Sequence, residues 1–489
     1  MKIAAALLVV LMACSRASAA DLFVDQINGG DANDGLSWAT ARATVASALA
    51  TAAASPEPDV ISVAAGRYLE QLVIPADTTL LGGFPAGGGM RDAAANVTTL
   101  DGGRTVAPVV HFPPGSDRTV LDGFLVRGGL GADQSIGGGI LVEDAAPLIQ
   151  GNVIEENAAC WGSGIALVYS GASTFARVVA NVIQRNLGHL PGTRTGCGGG
   201  RISQGGGVFI SAPPGMDLGL ILSGNRILAN AAGSGGGVSF QGQGAMEHDV
   251  VDQNYYSGIY LSGGPINLFN VAVTANRYSG ITAGCAGTYG FDNLTLAAND
   301  FGGIRSSGGG SGDLRVENSI LWRNSAEVTW YCGGSPPSIV SSLVEGGFVG
   351  GVGIIDADPL FVPGPNGDYY LSQASAGQPS TSPAVDAGSQ PSLNVGLDQR
   401  TTATDSTADG GMVDLGYHPT RVLTLTVLRG TVASGLTLHR TLASLPFVDD
   451  PGTLSDPGLP LLFYEVAGAV NDIAVDKDIA NDAVRLVFR

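Results

Sequence analysis

The chain has 489 residues, a formal net charge of −19 and 24 basic side chains, of which only Lys2 and Lys477 are lysines. This acidic excess excludes a nucleic-acid-binding protein, which needs a stripe of cations along the phosphate backbone. A mechanism that depends on a lysine in the middle of the chain is excluded as well. Glycine contributes 74 residues and charged residues only 14%, which indicates many tight turns and few solvated helices.

The first 19 residues are typical of a secretory signal peptide. Lys2 precedes an apolar run over residues 3–13, and Ala17-Ser18-Ala19 precedes the expected cleavage point. The run is too short for a membrane anchor, and no later segment is long and apolar enough for a transmembrane helix. The alternative is a lipoprotein signal in which Cys14 becomes the lipidated first residue. Both alternatives predict a protein that is secreted or held at the cell surface.

The entry segment combines a polar loop with an alanine-rich stretch. Thr40 is the expected N-cap of a short helix that runs to about Ala54 and stops before Pro56. We expect this helix to cover the open end of the fold. The loop over residues 31–35 is rich in oxygen ligands and is a candidate calcium loop, although it lacks the bidentate glutamate of an EF-hand. A hairpin with an Asp-Gly turn is the simpler interpretation.

One pattern recurs between residues 152 and 324: an asparagine, a short apolar stretch, a second asparagine and a glycine-rich turn into another apolar stretch. The second asparagine of each unit is Asn157, Asn186, Asn230, Asn254, Asn276, Asn299 and Asn324. A period near 23 with occasional insertions is typical of stacked coils. Stacking places equal positions about 4.8 Å apart, so each asparagine amide can bond the ones above and below.

This repeat resembles that of the right-handed parallel β-helix, or pectin-lyase-like, superfamily. The resemblance implies an all-β solenoid with an N-terminal helical cap over residues 20–420. Residues 356–361, 382–388 and 413–416 are similar to a closing segment of the choice-of-anchor type, which would carry the last coils and cap the bottom of the solenoid. Residues 421–489 are predicted to form a separate small β-sandwich-like domain.

Four cysteines remain after signal removal, which suggests two disulfides in an exported chain. Cys160 follows Asn157 by three residues and is expected to reach Cys197, in an inserted loop one coil below. Cys285 and Cys332 stand two coils apart, about 9.6 Å in strict stacking and more than a disulfide spans. Either their loops bend or these thiols stay free.

The resemblance implies how catalysis would look if the chain were a polysaccharide lyase. Lyases of this fold use carboxylates that hold calcium or neutralise the substrate, and an arginine or lysine that removes a proton beside a uronate carboxyl group. Since lysine is excluded, the candidates are Arg305 and Arg315 with Asp300 and Asp313. The alternative is that all four are solvated, outward-facing residues. The Asn-Thr-Asp, Gly-His-Gly and Arg-Ile-Lys motifs of galacturonate hydrolases do not occur, so that activity is not expected.

Two further groups of residues are candidate binding sites. Glu247, Asp249 and Asp252 lie close to a histidine in the densest acidic cluster of the sequence, which is a candidate calcium site or general base. A solvated turn is the simpler interpretation. Tyr255, Tyr256 and Trp330 would stack on sugar rings if they lie exposed on one flank, or else pack beneath loops.

Two functions are therefore compared. The first is an exported, non-catalytic β-helix that acts as an adhesive or carbohydrate-binding scaffold for an extracellular or cell-surface polysaccharide. The second is a polysaccharide lyase or related enzyme acting on polymers that contain uronic acids. They differ in whether an arginine and carboxylates line one groove across neighbouring coils. The first is favoured, because no catalytic motif is present.

Overall fold

The computed structural model describes residues 21–421 except residues 56, 133, 189–196 and 198–200, and beyond residue 421 it describes four strands. The predicted signal peptide, with Cys14, lies outside the described residues. No helix in the described part of the chain is long and apolar enough to cross a membrane.

A strand and a short helix cover the first coil. The strand is Asp21–Val24, and it pairs in parallel with Asp59–Ala64. The helix spans Val45–Ala52 and is capped by Thr44, whose side chain accepts a hydrogen bond from the backbone N–H of Ser47. The prediction that Thr40 caps this helix is wrong, because Thr40 ends a separate 3-10 turn, Trp38–Thr40.

The carboxylate of Asp31 explains where the helix begins. It accepts hydrogen bonds from the backbone N–H groups of Ala43 and Thr44 and from the Thr44 hydroxyl. These bonds hold the two residues in place just before the first helical turn. They also occupy the carboxylate of Asp31, one of the possible ligands in the candidate calcium loop over residues 31–35.

The body of the protein is a parallel β-helix of three sheets. Among the described residues, 31 strands form one hydrogen-bonded set, and each strand pairs in parallel with the equivalent strand of the next coil. Sheet A contains Leu72–Val73, Val110–Phe112, Ile140–Glu143, Ile165–Val168, Val208–Ser211, the first halves of Val238–Glu247 and Ile259–Phe269, Ser279–Gly284, Gly302–Ser307 and Val328–Thr329.

Sheets B and C complete each coil in the chain order A, B, C. Sheet B contains Asp21–Val24, Asp59–Ala64, Thr78–Phe84, Val120–Asp122, Leu148–Gln150, Arg177–Val179, Asp217–Ser223, the second halves of the two long strands, Thr288–Asp292, Asp313–Glu317, Ser338–Val344 and Val352–Ile355. Sheet C contains Gly66–Tyr68, Thr98–Asp101, Phe124–Arg127, Val153–Glu155, Val182–Gln184, Arg226–Leu228, Val250–Asp252, Ala272–Thr274, Thr295–Ala297 and Ile320–Trp322. The end of Ser338–Val344 also joins sheet C, where Leu343 and Val344 pair with Ile320 and Leu321.

Alternation along each strand decides which side chains fill the interior. In sheet A, Ile140 and Val142 point into the core while Leu141 points outward into a different cluster. Inward residues of the three sheets form one continuous apolar column from Leu22 to Val344. Its burial is the main source of stability, at about 25 cal/mol per Å² of apolar surface.

The asparagine ladder is confirmed. At every step from Asn157 to Asn324, the backbone N–H and the Nδ2 of one asparagine donate to Oδ1 of the next asparagine, at 2.9–3.2 Å. This ladder lies at the turn from sheet C to sheet A. A second ladder lies at the turn from B to C, and its members are Asn152, Asn181, Asn225 and Asp249.

The closing segment packs against the side of the solenoid. It includes the antiparallel hairpin Phe361–Gly364 and Gly367–Leu371, the 3-10 turn Ala374–Ala376 and the short helix Ser392–Val395. A small apolar cluster joins it to the outer face of sheet C, formed by Ile320, Leu343, Leu371, Ala384 and Leu415. The segment therefore covers a flank of the coils. Its role as a cap at the bottom of the solenoid stays a prediction.

Beyond the closing segment, two antiparallel pairs are described: Thr437–Thr441 with Phe463–Ala467, and Ile473–Asp478 with Ala483–Phe488. The rest of the domain predicted over residues 421–489 lies outside the described residues, apart from Arg421. The β-sandwich stays a prediction.

Candidate functional site

The outer face of sheet A carries one row of side chains in register across the coils. Its members are Leu141, Ala166, Phe209, Ser239, Tyr260, Thr282 and Arg305. The N-terminal end of the row, called the upper end, is apolar, because Leu141, Ala166 and Phe209 form a cluster against which Trp161 packs. The C-terminal end, called the lower end, is polar and aromatic. The row therefore changes character along the solenoid axis.

A stack of three aromatic rings borders the lower end of this row. Tyr256, Tyr278 and Phe301 each follow a ladder asparagine by two residues, at the turn from sheet C to sheet A. The ring centroids are 4.7 Å apart between Tyr256 and Tyr278 and 4.6 Å apart between Tyr278 and Phe301, with interplanar angles of 15° and 11°. These spacings match the rise of the coils. The stack is accessible, since Tyr256 is 39% and Phe301 49% exposed.

Arg305 lies beside this stack. Its Cζ is 4.8 Å from the centroid of Phe301 and 5.7 Å from that of Tyr278. Both distances are within the range of cation–π contacts, so the guanidinium is held against the rings of the stack. No carboxylate in the described part of the chain forms an ion pair with Arg305. With no acidic partner among these residues, the guanidinium can donate to a ligand.

The structure does not bring the predicted lyase residues together. Arg315 lies on sheet B, where it forms ion pairs with Asp292 and Glu317. Asp313 begins the same strand of sheet B, whereas Asp300 is exposed in the C-to-A turn directly before Phe301. Arg305 and Arg315 thus belong to different faces of the solenoid.

The predicted acidic cluster is also divided. Glu247 ends the long strand of sheet B, where its Oε1 accepts a hydrogen bond from Ser223. Asp252 ends the next strand of sheet C, where Oδ1 accepts one from the Thr274 hydroxyl. Asp249, between them, is fully buried in the B-to-C ladder. The three carboxylates do not converge on one point.

Burial perturbs two side chains of this region strongly. It raises the pKa of Asp249 to about 7, against the hydrogen bonds from Asn225 that lower it. It also lowers the pKa of the neighbouring His248 to about 3, with the positive charge of Arg400 acting in the same direction. Asp249 is therefore protonated in much of the folded protein near neutral pH, whereas His248 is neutral.

The other predicted stacking residues have unequal exposure. Tyr255 is 47% exposed and lies in the C-to-A turn next to Ala231 of the preceding coil. Trp330 packs against the main core, and its Nε1 is buried without a hydrogen-bond partner. The neighbouring Tyr331 is 78% exposed. Tyr255 can present a ring to a ligand, whereas Trp330 mainly packs.

Two disulfides fix loops of the solenoid. Cys160 bonds to Cys197, with Cα atoms 5.5 Å apart. Cys285 bonds to Cys332 across two coils, with Cα atoms 5.2 Å apart. The loops therefore bend toward each other. The intervening turn allows this because it is glycine-rich, and a Cβ on Gly310 would lie 2.5 Å from the carbonyl oxygen of Cys285.

Sequence reasoning missed two features of the site. Tyr278 and Phe301 escaped notice although the signal was present, since an aromatic residue follows three successive ladder asparagines at the same offset. A buried cluster of Asp409, Asp414 and His418 in the closing segment was also missed. No sequence spacing marks it, because the fold of the closing segment brings the three side chains together.

Comparison with known proteins adds little about this chain. No protein-family model matches it, and no curated protein matches it. Among solved structures, the crystal structure of pectate lyase Pel9A is similar, with a TM-score of 0.37, 12% identity and coverage of 86% of this chain and 94% of that chain. The parallel β-helix is established by the strand pairing of the chain itself.

Proposed function

We propose that this protein is an exported, non-catalytic β-helix scaffold that binds an extracellular polysaccharide at the lower end of the outer face of sheet A. The observation that carries the proposal is the exposed stack of Tyr256, Tyr278 and Phe301, with Arg305 beside it, which has no acidic partner in the described part of the chain. Two disulfides support a location outside the cytoplasm.

The accessible part of the outward row is its lower end. Leu141, Ala166, Phe209, Ser239 and Thr282 are each at most 8% exposed, whereas Tyr260 and Arg305 are partly exposed. A polysaccharide would therefore meet the row at Tyr260 and Arg305 and contact the aromatic stack beside them.

The chemistry of the stack determines how it would hold a sugar. The inner faces of the three rings cover one another, so a sugar ring can stack only at the ends of the stack. The guanidinium of Arg305, held against these rings, presents planar donors that fit a carboxylate or a pair of hydroxyl groups. Ring-face stacking is left to Tyr255 and to the outer face of Tyr256.

A lyase is the weaker alternative. Abstraction of a proton beside a uronate carboxyl group needs a base together with a group that neutralises the carboxylate. Arg305 stands without an acidic partner in the described part of the chain, and Arg315 is paired on another sheet. An arginine without a neighbouring acid can bind a sugar carboxylate or hydroxyl group, but it lacks the partner group that proton abstraction requires.

The test is binding of the mature chain to a panel of soluble polysaccharides, both neutral and uronic, by calorimetry. We expect at least one polymer to bind, and Arg305→Ala to weaken binding about 10-fold or more, the effect of losing one charged hydrogen bond. Phe301→Ala should weaken binding as well, because it removes a ring of the stack and the contact that holds Arg305. Arg315→Ala is the matched control, an outward arginine on sheet B, and should leave affinity unchanged.

Three outcomes would overturn the proposal. Absence of binding across the panel would remove the binding role, and an equal loss in Arg315→Ala would remove the assignment to sheet A. Appearance of unsaturated sugar absorbance with any polymer would establish the lyase instead.

A further inference from the structure

Three buried side chains of the closing segment point toward one another: Asp409, Asp414 and His418. One oxygen or nitrogen atom from each lies within 4.8 Å of the others, and in the described part of the chain this is the only such group of three metal-ligating residues. The exposed fractions are 7%, 3% and 0%. Solvated acidic groups are common on protein surfaces, but this set is enclosed.

Hydrogen bonding fixes the tautomer of the imidazole. Nδ1 of His418 lies 2.9 Å from the carbonyl oxygen of Gly416, which can only accept, so Nδ1 carries a hydrogen. Nε2 lies 2.9 Å from Oδ2 of Asp409. In the neutral ring, Nε2 therefore directs a lone pair at a carboxylate oxygen that has no hydrogen to donate. This is the arrangement in which a histidine is oriented by a backbone carbonyl to bind metal through its other nitrogen.

The two carboxylates are held in the same way. Asp414 accepts hydrogen bonds from the backbone N–H of Asp386, at 2.7 Å, and from the Thr402 hydroxyl. Oδ2 of Asp409 accepts one from the backbone N–H of Asp414 at 3.1 Å. Nε2 of Gln373 also donates to Oδ2 of Asp414, at 3.5 Å. Each Oδ2 atom thus has two partners already, so a cation would bind through the Oδ1 atoms or would displace one of these partners.

Space for further ligands adjoins the cluster. A cavity of about 240 Å³ borders Asp409 and Asp414, and Gln373 and Thr402 also line it. Two buried carboxylates face one imidazole, and burial of negative charge is costly unless cations compensate it. The buried guanidinium of Arg400, which donates to the carbonyl oxygen of His418, supplies part of that compensation, and a metal ion would supply the rest.

We propose that Asp409, Asp414 and His418 bind one divalent transition-metal ion of the Zn²⁺ class. One imidazole nitrogen and two carboxylates form a three-residue donor set for zinc, with a fourth position left for water from the cavity. Calcium fits less well, since it takes six to eight oxygen ligands and rarely uses nitrogen.

The ion would fasten the closing segment to the solenoid. The backbone N–H of His418 donates to Oδ1 of Asn270 at 2.6 Å, and Nδ2 of Asn270 donates to the carbonyl oxygen of His418 at 2.9 Å. Asn270 follows a strand of the coils. A metal on the His418 ring therefore links Asp409 and Asp414 to a residue already attached to the β-helix.

The experiment uses the mature chain after treatment with EDTA. Zn²⁺ is titrated by equilibrium dialysis with metal analysis, and thermal unfolding is followed in parallel. We expect one equivalent of Zn²⁺ to bind and the Tm to rise until one equivalent is bound. His418→Gln and Asp414→Asn should each lower the affinity at least about 10-fold. His111→Gln is the control, because it removes a histidine on sheet A that faces Glu143.

The wild-type chain alone can overturn the proposal, whatever the folding of the variants. Absence of saturable Zn²⁺ binding would show that His418 and Asp409 form an ion pair and nothing more. Preference for Ca²⁺ over Zn²⁺ would contradict the assigned class of metal. Undiminished binding in His418→Gln, with loss in His111→Gln, would place the ion elsewhere.

Discussion

Asp249 accepts two hydrogen bonds from Asn225, one from its backbone N–H at 2.7 Å and one from its Nδ2 at 2.9 Å. An aspartate thus takes the fourth position in a ladder of asparagines. In the three asparagines before it, Nδ2 also donates to a backbone carbonyl of an earlier coil. Leu222 pairs with Val178 in sheet B, so its carbonyl oxygen is the equivalent acceptor for the side chain at position 249. Its Oδ2 is buried without a partner, so a proton there would supply the missing donor.

Asp249→Asn should stabilise the protein at neutral and alkaline pH. The folded pKa of about 7 lies above the value of about 3.9 for a solvated aspartate. The stability given by the neutral carboxyl is therefore fully present below about pH 4 and is lost as pH rises to about 7. The amide is neutral throughout and carries the missing donor. We expect little change at pH 4 and a gain on the order of 3 kcal/mol at pH 8.

Denaturant unfolding of both proteins at the two pH values measures this difference. Asn254→Asp is the matched control, since it introduces an acid into the other ladder and should destabilise more at pH 8 than at pH 4. An equal gain for Asp249→Asn at both pH values would mean that the carboxyl does not titrate in the folded protein in this range.

Asn254→Ala should be strongly destabilising. Oδ1 of Asn254 accepts from the backbone N–H of Asn230 at 2.9 Å, and Nδ2 donates to the carbonyl oxygen of Ile227 at 2.9 Å. Removal of the side chain leaves both groups buried without partners, at about 1–3 kcal/mol each. We expect a loss of about 2–6 kcal/mol in denaturant unfolding. Gln253→Ala, which removes an exposed contact to Asp252, should cost less than about 0.5 kcal/mol.

The repeat was readable because a ladder needs the same side chain in every coil. Asparagine spacing predicted the coils from Asn157 to Asn324 and so placed the sheets. The backbone at each ladder turn was not readable, because the preceding residue has positive φ although it is not glycine, as in Glu156 and Gln253 with φ of 55°. The ladder bonds stabilise a conformation that side chains otherwise avoid.

The site was less predictable than the fold. Arg305 and Arg315 are ten residues apart and seemed to form one group, but the coil turns between them onto a different sheet. The burial of Asp249, by contrast, was readable from the repeat, because Asp249 precedes Asn254 by five residues, as Asn225 precedes Asn230. The change from asparagine to aspartate concealed it. Charged residues near each other in a solenoid sequence share a site only when they occupy the same position in neighbouring coils.

Removal of the bridge between Cys285 and Cys332 should lower stability more than its surface position suggests. The bond closes a loop of 47 residues, and cross-linking of a loop this long removes conformational entropy from the unfolded chain worth about 4 kcal/mol in the chain-entropy model. We expect the double variant Cys285→Ala, Cys332→Ala to lose about 2–4 kcal/mol in denaturant unfolding. An unchanged midpoint would show that the stacked coils alone hold these loops.

Tyr278→Ala should destabilise the C-to-A turn, because Tyr278 is the central ring of the stack. It contacts Tyr256 on one face and Phe301 on the other, and each aromatic pair contributes about 0.5–1.5 kcal/mol beyond area burial. We expect a loss of about 1–3 kcal/mol in denaturant unfolding, whereas Tyr278→Phe keeps both contacts and should be nearly neutral. Phe301→Ala, which breaks one contact, should fall between them. Equal losses in Tyr278→Ala and Tyr278→Phe would assign the effect to the hydroxyl group instead of the stack.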